Sequence, residues 1–306
     1  MMGENSYQCI IIGGGIAGLQ AAIQLGRYMH HVVVIDSDDG RSNACRGYHN
    51  LLGWPNGVSG ETLRSLGKSQ AMNAGIEFKK DYVISLQRQE VGFEVKTKKG
   101  EELKTKTILL STGIKDHIPP IKGIAPCLGI SVYVCPDCDG YEVRNRKTII
   151  LGSGNTGAKM ALTLTYWTNQ IVFVNHERKK IDHSILSSLK EKGIETIEGD
   201  IDEVIAEDKT EFRGVSLKDG RVISGEKGFI AFGGNTVHSE LAHDVGVERL
   251  ENKHVLVDPR TKETNITNIW AAGDVVAHSE QVSIAMADGC QAAIWIHKRL
   301  LEMDKG

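Results

Sequence analysis

Two cysteines three residues apart form the closest cysteine pair in the sequence, in the run CPDCDG at residues 135–140. This spacing lets two thiols close a small disulfide ring, and a helix that begins there would lower one thiol's pKa through its N-terminal dipole. Cys135 and Cys138 are therefore candidate catalytic residues for thiol–disulfide exchange. Asp139 is placed to pass a proton to or from a thiol, although an aspartate in a surface turn gives the same pattern.

Two other interpretations of the cysteine pair are half of a zinc site and a pair of buried, unreactive thiols. Zinc requires two further ligands, and no second Cys-x-x-Cys run is present. Proline, aspartate and glycine around the pair indicate a turn and not a core strand. We therefore expect exchange chemistry and no metal. The six cysteines, in a chain with no secretory signal, also favour catalytic or reduced thiols over a structural disulfide framework.

The start of the chain carries a dinucleotide-binding pattern. A predicted strand at residues 8–12 leads into a glycine turn and an apolar helix to about Tyr28, and a second strand at residues 32–35 ends at an acid. Glycines keep the turn open, so that a pyrophosphate can approach the N-H groups at the helix N-terminus, and the acid accepts from ribose hydroxyls. The candidate cofactor contacts are Gly13, Gly15, Ala17, Gly18 and Asp36.

The same pattern returns after the cysteine pair. A predicted strand at residues 148–151 leads into a second glycine turn, a helix through Trp167 and a strand at residues 171–174. Asn175 replaces the acid, which removes a carboxylate that would repel a 2'-phosphate, so NADP is preferred over NAD. Basic side chains follow, but Glu177 lies among them, and a solvated loop is the alternative. The candidate contacts are Gly152, Gly154, Asn155, Thr156, Gly157, His176, Arg178 and Lys179.

A third strand-like segment, residues 268–272, runs into Gly273 and Asp274, and Gln281 opens a long apolar helix to Leu301. These elements suggest that the C-terminal stretch completes the first nucleotide-binding domain. We therefore predict an α/β fold with two Rossmann-like dinucleotide-binding domains, the second inserted into the first. The first domain comprises residues 1–117 and 239–306, and the inserted domain, with the cysteine pair, comprises residues 118–238.

Composition limits the class of protein. A chain of 306 residues with 41% hydrophobic residues is long enough for about two cores, and 34 glycines against 6 prolines fit tight turns near phosphates. A formal charge of −3 gives no broad basic surface for nucleic acid. The N-terminal residues show neither a basic leader nor a membrane span, so a cytoplasmic location is expected.

The order of these motifs resembles that of the low-molecular-weight bacterial thioredoxin reductases, along nearly the whole chain. The matching features are the first glycine fingerprint, Ser111-Thr112-Gly113, the Cys-x-x-Cys-Asp-Gly run, the second fingerprint and the final Ala-Ala-Gly-Asp. The resemblance implies an FAD domain formed by the two chain ends, an inserted NADPH domain, a homodimer and rotation between the domains. It also implies that Cys138 faces the flavin, Cys135 attacks the substrate disulfide and Asp139 carries the proton.

The resemblance implies further contacts to FAD. The helix from Gln281 would direct its N-terminus at the flavin pyrimidine ring, Gly273 and Asp274 would hold the ribityl chain, and Asn50 would lie near the isoalloxazine. The complete set of additional FAD contacts is Ser37, Arg41, Asn43, Asn50, Thr112, Gly113, Gly273, Asp274, Gln281 and Val282.

Three departures from the family pattern keep other functions open. Residues 175–179 replace its basic 2'-phosphate motif, Glu280 replaces an arginine before Gln281, and residues 40–43 with His49-Asn50 resemble the dithiol oxidase branch. The leading hypothesis is electron flow from NADPH through FAD and the dithiol to a protein disulfide, as in a thioredoxin-like partner. The alternatives are oxidation of a small dithiol by oxygen, a reductase supplied by ferredoxin or another donor, and a non-catalytic redox-sensing flavoprotein.

Overall fold

The computed structural model describes residues 6–305 and divides them into two compact units. The first unit contains residues 6–43, 59–115 and 236–305, and the second contains residues 44–58 and 116–235. The chain therefore leaves the first unit twice, once for a short segment and once for a long one. The long segment leaves the first unit after residue 115 and returns to it at residue 236. The short segment, residues 44–58, belongs to the second unit, whereas the sequence predicts it to be part of the first domain.

The strands of the first unit are β1 (Ser6–Ile12), β2 (Val32–Asp36), β3 (Glu77–Lys80), β4 (Val83–Arg88), β5 (Phe93–Thr97), β6 (Glu102–Leu110), β7 (Ile114–Lys115), β16 (Thr236–Val237) and β17 (Ile269–Ala271). Seven of them form one sheet in the order β3-β2-β1-β6-β5-β4, with β17 also paired to β6, whereas β7 and β16 form a separate antiparallel pair. The central strands of the large sheet run parallel, and β4, β5 and β6 form antiparallel pairs. The helices of this unit are α1 (Ile16–Arg27), α2 (Arg41–Ala44), α3 (Gly60–Asn73), α8 (Glu240–Asp244) and α9 (Val282–Met303).

The central strands of the first sheet are covered on both faces. Successive residues of β1 alternate between two hydrophobic clusters, with Ile10 and Ile12 in one and Cys9 and Ile11 in the other. Near-continuous apolar strands are typical of a parallel sheet covered on both sides. Cys9 is fully buried, and burial raises its pKa to about 12, so it acts as a core residue and not as a thiolate.

The strands of the second unit are β8 (Val132–Tyr133), β9 (Thr148–Gly152), β10 (Ile171–Asn175), β11 (Glu195–Glu198), β12 (Ile201–Glu207), β13 (Glu211–Leu217), β14 (Val222–Ser224) and β15 (Lys227–Ala231). Five of them form a parallel sheet in the order β11-β10-β9-β15-β8, and β12, β13 and β14 form a separate antiparallel sheet. The helices of this unit are α4 (Ile124–Cys127), α5 (Pro136–Asp139), the 3₁₀ turn η1 (Gly140–Val143), α6 (Gly154–Leu164) and α7 (His183–Glu191).

Most predicted elements fall within two residues of the observed ones, but one helix ends early. The sequence predicted a helix through Trp167, whereas α6 ends at Leu164. The following residues form a turn in which the Trp167 carbonyl accepts from the Asn145 backbone N-H at 3.2 Å. The indole packs against Gly140, because a Cβ added there would lie 2.6 Å from the Trp167 ring. This packing, and not helical periodicity, accounts for the apolar residue at 167.

Candidate functional site

The cysteine pair sits at the start of a short helix, as predicted. Cys135 is the N-cap of α5, and its Sγ accepts from the Cys138 backbone N-H at 3.1 Å. The two cysteines form a disulfide with their Cα atoms 5.3 Å apart. Pro136 at the first helical position has no N-H to leave unpaired, which explains its place in the run. A disulfide at a helix N-terminus is the position in which exchange-active cysteine pairs are found.

Asp139 lies beside this pair in a buried position. Its N-H donates to the Cys135 carbonyl at 3.0 Å, and its side chain is only 14% exposed. Burial raises the pKa of Asp139 to about 6, an effect opposed by the charge of His49 and increased by Glu142. An acid with a pKa near neutrality suits proton exchange with a thiol. The alternative of an exposed surface-turn aspartate does not describe this side chain.

The glycines of the first fingerprint are required for two different reasons. A Cβ on Gly13 would lie 2.3 Å from the Ser111 carbonyl oxygen, and a Cβ on Gly18 would lie 2.0 Å from the Gly13 carbonyl oxygen. A Cβ on Gly15 would meet nothing within 4 Å. The outer glycines are thus required by packing, whereas the space over Gly15 is where a phosphate group can approach the helix N-terminus.

Asp36, at the end of β2, is held at this turn. Its Oδ1 accepts from the Gly14 backbone N-H at 3.0 Å, and its Oδ2 accepts from the Arg64 guanidinium at 2.7 Å. Each carboxylate oxygen can accept a second hydrogen bond, so ribose hydroxyls can still be bound. Arg64, on α3, was missed by sequence reasoning because no motif spacing connects it with the fingerprint.

A cleft opens beside this carboxylate, lined by Asp36, Arg64, Lys68 and Phe78 among others. The Arg64 Nε is buried and has no hydrogen-bond partner within the protein. A buried donor without an acceptor suggests that a ligand supplies one. Together with the open space over Gly15, the orphaned donor fits the nucleotide half of FAD.

The predicted ribityl contacts follow β17. Gly273 has a positive φ of 78°, and a Cβ there would lie 2.8 Å from the Ala17 Cβ. Burial raises the pKa of Asp274, which accepts from Arg41 at 3.2 Å. The same Arg41 guanidinium group donates to Glu280 at 2.6 Å. The family departure at Glu280 is therefore compensated within this unit, because Arg41 carries the positive charge that pairs with it.

Asp288, on α9, is hydrogen-bonded to the loop that contains Gly273 and was not predicted from the sequence. It is 4% exposed, accepts from the Gly273 N-H at 3.2 Å, and pairs with His278 at 2.5 Å and Lys262 at 2.7 Å. Although burial opposes ionisation, the hydrogen bonds from His278 and Lys262 hold the pKa of Asp288 below its ordinary value. A buried carboxylate with three donors fixes the Gly273 turn.

The remaining predicted FAD residues occupy varied positions. Thr112 donates its hydroxyl to the His238 carbonyl, Gly113 has a positive φ of 66° with open space at its Cβ position, and Gln281 is the N-cap of α9 with Val282 as its first residue. Ser37 and Asn43 are exposed, and the Asn43 amide donates to the Asp38 carbonyl at 2.7 Å. Asn50 is exposed and belongs to the segment 44–58 of the second unit.

In the second fingerprint, Asn175 is entirely buried. Its Oδ1 accepts from the Gly154 N-H at 2.8 Å, and its Nδ2 donates to the Lys179 carbonyl at 2.8 Å and to Glu198 at 2.9 Å. All of its polar atoms are thereby used within the protein. The buried Asn175 side chain therefore holds the turn and the neighbouring strand together.

The loop after Asn175 carries the predicted basic cluster. Lys179 forms an ion pair with Glu177, whose Oε2 also accepts from the Ser153 hydroxyl at 2.8 Å. A Cβ on Gly154 would lie 3.0 Å from the Lys179 Cβ and 3.2 Å from the Lys180 carbonyl oxygen. The loop therefore approaches the second glycine closely, and it places an acid at the start of α6.

Other predicted contacts of the second fingerprint are engaged locally. The Asn155 amide exchanges two hydrogen bonds with Asp182, both at 2.9 Å. A Cβ on Gly233 would lie 2.9 Å from the Thr156 Oγ1. Burial lowers the pKa of His176, and its Nδ1 accepts from the Ile201 N-H at 2.8 Å. Arg178 is exposed with a positive φ of 48°.

The first and third glycines of this fingerprint remain tightly packed. A Cβ on Gly152 would lie 2.6 Å from the Ala231 carbonyl oxygen, and one on Gly157 would lie 2.4 Å from the Phe173 ring. These contacts hold the strand, the turn and α6 in a dinucleotide-binding arrangement. The glycine frame therefore has the form that a dinucleotide needs, and Glu177 adds a negative charge beside it.

Among residues 6–305, no helix has the length and apolar character needed to cross a membrane. Within the same range, no group of three or more His, Cys, Asp or Glu side chains is arranged to hold a metal ion.

A disulfide beside a largely buried acid, in a chain with two dinucleotide-type turns, is the arrangement expected of a disulfide oxidoreductase that uses nucleotide cofactors. The family model described as pyridine nucleotide-disulphide oxidoreductase matches residues 7–289, and the chain belongs to this family. The thioredoxin reductase of Rickettsia felis is 26% identical over 303 residues, which cover 95% of this chain and 97% of that protein. The thioredoxin reductase of Aquifex aeolicus is 27% identical, with coverage of 97% and 94%.

Structural comparison also gives a match along the whole chain. The crystal structure of HlmI has a TM-score of 0.88 and 26% sequence identity, and covers 100% of this chain and 96% of its own. The chain is a thioredoxin-reductase-like flavoprotein oxidoreductase, in a family whose thioredoxin reductases use FAD and NADPH. The predicted fold class, family and enzyme class are confirmed. The domain boundaries and the individual site residues remain predictions.

Proposed function

We propose that the protein transfers electrons from NADPH, by way of FAD, to the Cys135–Cys138 disulfide and then to the disulfide of a thioredoxin-like protein. The observation that carries the proposal is the disulfide at the start of α5 next to the buried acid Asp139. The names of the two thioredoxin reductases support thioredoxin as the partner.

FAD, when bound, would relay electron pairs between the nicotinamide and the dithiol. Its nucleotide half fits the first unit, where Gly15 leaves room for phosphate and where Asp36 and Arg64 line the cleft. Arg41 and Asp274 would position the ribityl chain, and the α9 N-terminus would favour negative charge on the ring. We assign residues 1–117 and 239–306 to FAD, apart from the segment 44–58, and residues 118–238 to NADPH.

The protein's own residues then carry out the proton transfers and the thiol–disulfide exchange. Two electrons break the Cys135–Cys138 bond and leave two thiolates, which take up two protons in all. Asp139, with its pKa raised to about 6, delivers the first of these protons. Cys135 attacks the substrate disulfide and forms a mixed disulfide, which Cys138 resolves, so that the substrate leaves as a dithiol and the original bond is restored.

The test is anaerobic mixing of the yellow protein with NADPH, and with NADH in parallel, followed by flavin absorbance. We expect NADPH to bleach the flavin and thioredoxin disulfide to restore its colour through repeated cycles. A Cys135→Ser variant should keep the bleaching by NADPH and lose turnover with thioredoxin. Absence of bleaching by either nucleotide, combined with bleaching by a small dithiol and peroxide formation in air, would contradict the proposal and favour dithiol oxidation.

The family resemblance also supports a homodimer in the cytoplasm as part of this proposal. Sedimentation of the purified flavoprotein should give twice the mass of one chain, which is 33.5 kDa. A single-chain mass across the working concentration range would contradict the dimer and leave the redox chemistry untouched.

A further inference from the structure

The segment 44–58 folds into a loop within the second unit. Tyr48 and Val58 exchange two backbone hydrogen bonds, at 2.8 and 3.2 Å, which close the base of the loop. His49 follows Tyr48, and two glycines of the same loop leave room for its ring. A Cβ on Gly47 would lie 2.8 Å from the His49 Cε1, and one on Gly57 would lie 2.9 Å from its Cδ2. The loop therefore provides a fitted place for one imidazole.

This imidazole lies against the acid beside the redox pair. The His49 Nδ1 is 3.9 Å from the Asp139 Oδ1, within ion-pair distance. The His49 side chain is 36% exposed, whereas that of Asp139 is 14% exposed. His49 thus connects a buried carboxyl group with solvent. Histidine is the side chain best suited to exchange protons with water near neutral pH.

We propose that His49 is a positioning residue that sets the charge of Asp139 and passes protons between Asp139 and solvent during thiol–disulfide exchange. The inference rests on the proposed function only in requiring that the cysteine pair exchanges disulfides. It depends on neither the electron donor nor the protein partner.

The chemical step can be followed in the direction of dithiol oxidation. The Cys135 thiol loses its proton to the Asp139 carboxylate, and its sulfur attacks an external disulfide, which releases one thiolate. The Cys138 thiol then attacks the mixed disulfide, loses its own proton and releases the second thiolate. The two protons leave for solvent, the first from Asp139 by way of His49, and the two electrons of the dithiol pass to the external disulfide.

The charges that act on Asp139 determine the sign of the effect. Among the described residues, His49 and Glu142 shift the pKa of Asp139 by their charges, and their effects oppose one another. Tyr133 also lies within electrostatic reach of Asp139. Positive charge on His49 favours the carboxylate, whereas the negative charge of Glu142 disfavours it. Loss of His49 therefore raises the pKa of Asp139 further above its value of about 6. The carboxylate needed as a base then forms only at higher pH.

The experiment uses the full-length flavoprotein, reduced chemically and mixed with excess of a small aromatic disulfide whose thiolate is coloured. In the wild type, the exchange rate should rise with pH through about 6. In His49→Gln, this rise should move upward by about one pH unit, with a rate about threefold lower near pH 6.5 and little change at pH 8.5. His183→Gln, an exposed histidine on α7 of the same unit, should superimpose on the wild type.

Two further variants separate an electrostatic role from a structural one. His49→Arg keeps a positive charge and should return the rise toward its wild-type pH. Gly47→Ala keeps the imidazole but displaces it, because the added Cβ would lie 2.8 Å from the ring, and should move the rise part of the way upward. A His49→Gln profile that matches the wild type, or a rate lowered equally at every pH, would overturn the inference. A wild type that exchanges no disulfide at all would instead refute the proposed function.

Discussion

The two glycine fingerprints share a plan but differ in what their turns leave available. In the first unit, the space over Gly15 is open and Asp36 keeps lone pairs for a ligand. In the second unit, the loop after Asn175 approaches Gly154, and the asparagine uses every polar atom internally. The same strand, turn and helix thus support one site that is ready for a dinucleotide and one that the chain itself partly covers.

The difference shows that the residue at the end of the second strand has two separable tasks. In both units it accepts a hydrogen bond from the glycine turn, from Gly14 at 3.0 Å in the first and from Gly154 at 2.8 Å in the second. In the first unit the acid also faces the cleft, whereas in the second the amide anchors the next strand through Glu198. An asparagine at this position can donate to Glu198, whereas the aspartate of the first unit accepts from Arg64. The choice between acid and amide therefore determines which neighbouring side chain is bound, in addition to any effect on the nucleotide.

The largest expected effect comes from Asn175→Asp, which gives the second turn the acid of the first. The new carboxylate would face Glu198 and the Lys179 carbonyl, where the amide now donates at 2.9 and 2.8 Å. We expect a loss of about 3–5 kcal/mol in the free energy of unfolding at pH 8, because a buried charge loses its partners. Chemical denaturation measures this loss.

The pH dependence of that loss sharpens the prediction. In the variant, the new carboxyl group and that of Glu198 face each other, so each has a higher pKa in the folded state than in the unfolded state. The variant is therefore most stable at low pH, where these groups are protonated, and it loses stability as the pH rises. The variant should therefore recover much of the difference at pH 5. Asp36→Asn is the matched control, and it should lose only about 1.5 kcal/mol with its charged hydrogen bond to Arg64. Equal losses in the two variants would show that the turns are interchangeable.

The second largest effect concerns Gly15, in the fingerprint whose turn is open. Gly15 has φ −73° and ψ −170°, an extended conformation that any residue can adopt, and no atom lies within 4 Å of an added Cβ. Gly15→Val should therefore fold, while its methyl groups fill the space for phosphate. We expect FAD affinity to fall roughly 10- to 100-fold, which corresponds to about 1–3 kcal/mol of overpacking.

Flavin absorbance of the purified variant during titration with FAD gives this affinity. Gly15→Ala is the control, and it should lose much less because its single methyl group is smaller. Native affinity in the valine variant, with an unchanged circular dichroism spectrum, would mean that the pyrophosphate does not approach this turn.

The sequence predicted the frame of both units because strand, glycine turn and helix are local patterns. The strand at residues 171–174 and the turn at Gly152 could be found from hydrophobic periods and spacing alone. The cysteine pair and Asp139 were likewise found from adjacent residues. The end of α6 was predicted three residues too late, because the apolar Trp167 packs against Gly140 and does not belong to the helix.

Residues that act across long sequence distances could not be predicted in this way. Arg64 reaches Asp36 from another helix, and His49 reaches Asp139 from a segment that the sequence assigned to the first domain. Asp288 supports Gly273 from within a helix whose pattern shows only an apolar face. Such contacts depend on how the elements pack, for which one sequence carries no local signal.

The smallest expected effect concerns the loop that covers the second turn. Glu177 accepts from Ser153 at 2.8 Å and pairs with Lys179, and these two contacts hold its pKa below the ordinary value, so it remains charged. Glu177→Gln should remove repulsion of the NADPH phosphates and release Lys179. Because the loop is solvent-exposed, we expect about 0.5–1 kcal/mol, or a roughly two- to fivefold lower Kd for NADPH.

The dependence of flavin bleaching on NADPH concentration measures this change, and NADH provides the comparison. A released Lys179 should improve NADPH more than NADH, because only NADPH carries a 2'-phosphate. Glu226→Gln is the matched control, since Glu226 forms an ion pair of 2.8 Å with Arg146 in the same unit and outside the fingerprint. If Glu177→Gln and Glu226→Gln leave both affinities unchanged, the loop does not compete with the nucleotide, and the contrast between the two turns is confined to Asn175.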